Sequence, residues 1–217
     1  VFLVGGLGID NIQILKLLER HELEKSLDFK LGSRNLLITY HPVTLENSTS
    51  AHQMSELMTA LSEQEDTKLI FTMPNSDTDG RNLFQMIEDY VKLHPNAKAF
   101  TSLGQLRYLS CIKYVDGVVG NSSSGLTEVP SFNKGTVNIG DRQRGRLKAK
   151  SVIDCVPKKT SIRNAIAELY STEFQNKLMK VKNPYGSGGA SEAIVNILKE
   201  ISLDGILKKK FYNLRRS

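Results

Sequence analysis

Short apolar runs rich in β-branched residues alternate along this chain with segments whose apolar residues recur every three or four positions. The short runs are residues 35–40 (NLLITY), 68–73 (KLIFTM), 98–102, 116–120 (DGVVG), 136–139 (TVNI) and 151–155 (SVIDC). They do not alternate cleanly between apolar and polar side chains, which is the character of strands covered on both faces, as in a parallel sheet. Between them, residues 48–63 place Met54, Leu57, Met58 and Leu61 at helical spacing, and residues 79–93 do the same with Leu83, Met86, Ile87, Tyr90 and Val91. Helices are also predicted over 103–113, 160–170 and 191–201. Repeated strand–helix–strand units predict an α/β fold: a doubly wound, Rossmann-like parallel sheet with right-handed crossovers.

The first 34 residues break this pattern. Asp10 is expected to cap a helix running to about Arg20, with Ile12, Leu15 and Leu18 along one face. Leu31-Gly32-Ser33 reads as a connector. The expected organisation is therefore the end of a preceding domain and a hinge over 1–34, a Rossmann-like domain with a closing C-terminal helix over 35–201, and a basic tail over 202–217. Val1-Phe2-Leu3-Val4 reads as a strand entered mid-chain, and no initiator Met precedes it, so the sequence is expected to begin inside a longer protein.

Composition narrows the class. Apolar residues make up 40% and charged residues 24%, an ordinary soluble globular balance. No apolar run approaches the ~18–20 residues that span a bilayer, and the opening Val1-Phe2-Leu3-Val4 is too short and lacks the basic start expected of a signal peptide. Cys111 and Cys155 lie far apart with no metal-ligand spacing. They read as small buried hydrophobes in a reducing compartment, and a cytoplasmic location is expected. The net charge of +6 owes much to Lys208-Lys209-Lys210 and Arg215-Arg216. No aromatics are interleaved with basic residues along a predicted sheet, so a solvated tail is expected rather than a nucleic-acid surface. No metal, cofactor, nucleic acid or membrane is expected as a partner.

Ligands of open parallel sheets bind beyond the carboxyl ends of the strands, so those ends carry the candidate chemistry. His41 follows the first strand, Pro74-Asn75-Ser76-Asp77 the second and Thr101-Ser102-Leu103-Gly104 the third. Gly120-Asn121-Ser122-Ser123-Ser124-Gly125 follows the fourth and Gly140-Asp141-Arg142 the fifth. The serine turn, with a helix expected directly after it, would offer backbone N–H groups and hydroxyls to an anion such as a diphosphate. A solvated turn or plain helix cap would use the same residues. No Gly-Lys-Ser/Thr end follows, so this is no Walker loop, and Gly6-Leu7-Gly8 lacks the third glycine of a dinucleotide fingerprint. Glu128, one helical turn on, can accept from two ribose hydroxyls or simply favour the helix start. Arg142 can pair with phosphate oxygens or remain a surface charge. His41 is held extended by Pro42, and its ring can project over the ligand edge.

At these residues the chain resembles the UDP-N-acetylglucosamine 2-epimerases, whose two Rossmann-like domains form a glycosyltransferase-B fold. The resemblance rests on His41-Pro42-Val43-Thr44, Pro74-Asn75, the serine turn with Glu128, Gly140-Asp141-Arg142-Gln143-Arg144-Gly145-Arg146, and Asn183-Pro184-Tyr185-Gly186-Ser187-Gly188. It extends to about Ile201 and is strongest for the hydrolysing branch, which makes free N-acetylmannosamine for sialic acid synthesis. The non-hydrolysing branch usually carries two arginines after the histidine and an acidic-Ser-Gly-Gly turn, and this chain departs from both.

The resemblance implies that Ser122 and Ser123 bind the diphosphate, Glu128 the ribose and Arg142 phosphate. Asn75 would line the same cleft, and His41, the one catalytic candidate of this half, would lie near diphosphate and sugar. Uracil would sit near residues 101–103, bound largely through backbone groups. Residues 183–187 would precede a helix that packs across both domains. Most of the acid/base carboxylates would belong to an N-terminal domain upstream of Val1. Hydrolysis of a UDP-2,4-diacetamido-trideoxyhexose, and a nucleotide-sugar transferase of the same architecture, stay open as alternatives. The full-length form is expected to be a homo-oligomer.

Overall fold

A computed structural model describes residues 1–42, 50–74, 80–202, 204–205 and 207–208 of the 217-residue chain. Six strands are formed among the described residues: β1 (Arg34–Thr39), β2 (Thr67–Thr72), β3 (Ala97–Phe100), β4 (Gly117–Gly120), β5 (Gly135–Ile139) and β6 (Val152–Cys155). All pair in parallel, in the spatial order β3-β2-β1-β4-β5-β6. The helices are α1 (Leu7–Ile14), α2 (Arg20–Leu27), α3 (Ser50–Leu61), α4 (Gly80–Leu93), α5 (Gly104–Tyr114), α6 (Ser124–Thr127), α7 (Lys159–Leu169), α8 (Thr172–Leu178) and α9 (Ala190–Glu200). The six predicted strands and the helices α3, α4, α5, α7 and α9 lie within two residues of their sequence-predicted limits.

The sheet is buried on both faces, which explains the unbroken apolar runs. Successive residues of a strand point to opposite sides. Leu36, Ile38 and Tyr40 accordingly join one core with residues of α3, α4, α7 and α8, while Leu37 joins the other with Leu23 and Leu27 of α2 and Leu109 and Ile112 of α5.

The N-terminal segment differs from its prediction. The helix expected from Asp10 to about Arg20 ends at Ile14, where Leu15 turns extended at ψ 126. Leu15, Leu17 and Leu18 pack against the α5-side core, and the Leu18 N–H donates to Ser110 Oγ at 3.0 Å. Tertiary packing thus replaces helical hydrogen bonds over this stretch. The unpredicted α2 begins with a capping box, in which the Glu19 N–H donates to Glu22 Oε2 at 2.8 Å. The other unpredicted helix, α8, is capped by Ser171, whose Oγ accepts from the Phe174 N–H. Asp10 caps no helix of its own, because Gly6 is the N-cap of α1. Its carboxylate serves α9 instead, accepting from the N–H groups of Ala190 (3.1 Å) and Ser191 (2.7 Å) and from Ser191 Oγ (2.5 Å).

Candidate nucleotide-binding site

The strand order reverses between β1 and β4, and this switch point is where open α/β sheets form their ligand crevice. His41 leaves β1 there and Asn121 leaves β4. The two are joined by a pair of hydrogen bonds: the His41 N–H donates to Asn121 Oδ1 at 2.8 Å, and Asn121 Nδ2 donates to the His41 carbonyl at 2.8 Å. The Asn121 N–H reaches the Thr39 carbonyl at 3.2 Å. Such close approach of the two chains requires Gly120. It sits at φ +145, and a Cβ there would lie 1.9 Å from the Thr39 carbonyl oxygen.

The next strand end closes on the same residue. The Asn121 carbonyl accepts from Gln143 Nε2 at 2.8 Å and from Arg142 Nη1 at 3.1 Å. Gln143 is buried, whereas Arg142 is exposed. Asn121 thereby ties three strand ends together, a role for which the sequence offered only its place in the serine turn.

Beside this knot lies a cavity of about 450 Å³ lined by Thr39, His41, Thr72, residues 101–105, Tyr108, Ser122, Ser124 and Glu128. His41, Ser122 and Glu128 are all half-buried at its wall. Ser123 and Arg142 do not line it: Ser123 is the N-cap of α6, and Arg142 approaches through the Asn121 carbonyl. Asn75 lies outside the described residues. The helix expected after the serine turn is a single turn, α6, followed by a 3-10 turn at Val129–Phe132. Pro130 near the start of that turn has no N–H for an α-helical ladder. So short a helix sums few peptide dipoles, and an anion here would rely on individual N–H and O–H donors. Gly125 keeps the turn tight against β5, where Thr136 Oγ1 donates to the Gly125 carbonyl at 2.7 Å.

At the end of the cavity formed by residues 101–105, Arg107 in the first turn of α5 folds back on the loop before it. Its Nε–H donates to the Leu103 carbonyl at 2.8 Å and Nη2 to the Ser102 carbonyl at 3.2 Å. In the sequence, Arg107 belongs to none of the candidate motifs. Its signal was a cation at the helix end where the dipole disfavours one.

The C-terminal segment borders the same site. Asn183 Nδ2 donates to the Thr127 carbonyl and to Ser131 Oγ, each at 2.7 Å, and the Gly6 N–H donates to the Tyr185 carbonyl at 2.8 Å. Gly8 of α1 packs against Glu128, so that a Cβ on Gly8 would lie 3.4 Å from Glu128 Oε1.

Neither cysteine belongs to the site chemistry. Burial pushes the Cys111 and Cys155 thiols up to about 12, far from reactive thiolates. Among the described residues no group of three His, Cys, Asp or Glu side chains is placed to hold a metal ion, and no helix is long and apolar enough to cross a membrane.

Residues 1–199 match the family model described as UDP-N-acetylglucosamine 2-epimerase. The chain belongs to the UDP-N-acetylglucosamine 2-epimerase family. It is 37% identical over 216 residues to a Campylobacter jejuni protein named GDP/UDP-N,N'-diacetylbacillosamine 2-epimerase (hydrolyzing), covering 99% of this chain and 56% of that protein. It is also 37% identical over 204 residues to the polysialic acid biosynthesis protein P7 of Escherichia coli, covering 92% of this chain and 51% of that protein. A structure of the Neisseria meningitidis UDP-GlcNAc 2-epimerase bound to UDP-GlcNAc superposes with a TM-score of 0.76 at 18% identity, over 91% of this chain and 55% of that one. This chain therefore carries the Rossmann-like fold of one half of a glycosyltransferase-B architecture. It spans about half the length of the curated relatives it matches.

Proposed function

We propose that this chain is the UDP-binding half of a hydrolysing 2-epimerase of UDP-N-acetylglucosamine type. The observation that carries the reading is the convergence of His41, Ser122 and Glu128 on one cavity at the sheet's switch point, with Arg142 drawn in by the Asn121 carbonyl. Glu128 accepts the ribose hydroxyls, Ser122 and Ser123 donate to the diphosphate, and Arg142 pairs with phosphate oxygens. Asn75 belongs to the same cleft, and His41 assists departure of UDP. In the whole enzyme the C2–H and C1–O bonds of the sugar break, releasing UDP and leaving a glycal. Water then returns hydroxide to C1 and a proton to C2 from the opposite face. Donors aimed at the departing diphosphate stabilise the charge that develops on it.

The acid/base carboxylates for the C2 proton reside in a preceding domain, for which α1 forms the hinge and α9 the element that crosses between the two. Val195 and Leu198 of α9 are 48% and 55% exposed, and Ile14 of α1 is 79% exposed, as expected of faces that meet a second domain. Leu23, Leu27 and Leu31 are buried in the sheet's own core, which supports a hinge among the residues before α2. The whole enzyme works as a homo-oligomer in the cytoplasm, in the supply of sialic-acid-type sugars. The free thiols Cys111 and Cys155 accord with that compartment.

A second substrate has specific support. The Campylobacter jejuni relative and a Legionella pneumophila relative, 31% identical over 97% of this chain, are both named for diacetylbacillosamine. The Neisseria meningitidis UDP-N-acetylglucosamine 2-epimerase is 30% identical over 61%. A UDP-2,4-diacetamido-trideoxyhexose is the corresponding substrate. Assaying the longer protein with each UDP-sugar, and following UDP and free sugar, decides between them. Transfer of sugar to an acceptor, with no free 2-epimerised sugar, would overturn the reading in favour of a transferase.

A further inference from the structure

We propose that Arg107 is a positioning residue that sets the base selectivity of the nucleotide site. This rests on the reading of the 101–104 loop as the uracil end of the cavity. The loop leaves β3 and enters α5 within four residues, and its residues line the cavity. Leu103 anchors it in the core at 3% exposure. Gly104 lies in the left-handed region at φ +63, and its N–H donates to Ser102 Oγ at 3.1 Å.

Arg107 is what holds the two peptide planes of this loop. Its guanidinium takes the carbonyls of both Ser102 and Leu103. A cation in the first turn of a helix opposes the helix dipole, and α5 has no acidic residue in that turn to offset it. The forked donor geometry, matched to two carbonyls, is what the position gains in return.

Pinning a carbonyl also fixes the N–H on the opposite edge of the same peptide plane. With the Ser102 carbonyl turned to Arg107, the Leu103 N–H points the other way. It makes no hydrogen bond within the described residues. A backbone donor held in that sense suits a carbonyl oxygen of the base and opposes an amino group. Uracil carries oxygen at C4 where cytosine carries an amino group, so a fixed donor favours uracil. A free loop could flip the plane, present a carbonyl instead and accept cytosine. Discrimination then depends on Arg107 without any contact between Arg107 and the base.

The test is calorimetry on the chain with UDP, CDP and inorganic pyrophosphate, for wild type, Arg107→Met and Arg107→Lys. Wild type is expected to prefer UDP over CDP by roughly ten-fold or more, the scale of one mismatched polar contact. Arg107→Met should bring the two within about threefold, with pyrophosphate affinity essentially unchanged. Arg107→Lys, with the charge but not the fork, should fall between. A merely structural role would lower the melting temperature and leave the UDP-to-CDP ratio intact. An intact ratio in Arg107→Met, or equal loss of UDP and pyrophosphate, overturns the proposal. Should the Met variant fail to fold, the Lys variant carries the same comparison, and an unchanged ratio there overturns it. Wild-type chain that binds no UDP, or binds CDP equally well, sinks the uracil reading itself.

Discussion

Asn121 holds His41 by both edges of its backbone, accepting from the N–H and donating to the carbonyl at 2.8 Å each. Only a carboxamide can do both at once, since a carboxylate has no donor and a hydroxyl is too short to span the two groups. The pair crosses the switch point of the sheet, so the geometry of the His41 turn depends on the turn after β4. Asn121→Asp keeps the acceptor and sets a charge against the His41 carbonyl. With Asn121 buried, the variant should lose about 1–3 kcal/mol of stability in denaturant unfolding. It should bind UDP more weakly as His41 and the serine turn separate. An unchanged denaturation midpoint would show that the clamp contributes nothing.

Glu128 and Arg142 should be separable by ligand. Glu128→Ala removes a ribose acceptor, so UDP and uridine should weaken alike, by roughly ten-fold. Arg142→Ala removes a phosphate donor and should weaken UDP by a similar factor while leaving uridine nearly untouched. Titration calorimetry with both ligands reads the difference. The reverse pattern would exchange or abolish the two assignments.

The latch between Asp10 and α9 should be sensitive to acid. Hydrogen bonds from Ser191, side chain first and then backbone, hold the Asp10 carboxyl below the ordinary aspartate value. A carboxyl depressed in the folded state contributes stability above its unfolded pKa and loses it as the pH falls through the folded value. The contribution should therefore be complete at neutral pH and fade below about pH 4. Melting temperature followed from pH 7 to pH 3 should fall more steeply for wild type than for Asp10→Asn. Parallel curves would mean that Asp10 is not a titrating latch.

The chain by itself should show no epimerase or hydrolase turnover. A base within hydrogen-bond reach of the C2 proton is required, and the proposal places it in the preceding domain. One open wall also admits water, which weakens every electrostatic contact with the departing diphosphate. Incubation with UDP-N-acetylglucosamine, monitoring UDP and N-acetylmannosamine, checks this. Turnover that disappears in His41→Ala would locate the machinery in this half.

Much of the architecture was written locally. The runs NLLITY and KLIFTM lack polar alternation because β1 and β2 are covered on both faces, and that pattern survives in the sequence with no partner in view. The 3-4 spacing of Leu83, Ile87 and Tyr90 likewise marks the buried face of α4. Local sequence also placed His41, the serine turn with Glu128, and Arg142 beyond strand ends, and parallel topology sends all such ends to one edge.

What it left undetermined were the relations that depend on long-range contact. Nothing near Asp10 reveals that its carboxylate closes the helix at Ala190, 180 residues away. The same holds for Leu15 and Leu18, whose helical spacing is overridden by packing against α5. Asn121 reads locally as one more small polar turn residue, and only the meeting of β1, β4 and β5 turns it into the tie between their ends. The physical reason is common to all three cases. Periodicity and turn chemistry act through neighbours along the chain, so the sequence carries them directly. A hydrogen bond between distant segments exists only after the core has brought them together, and any of several polar residues would have looked equally suited to it beforehand.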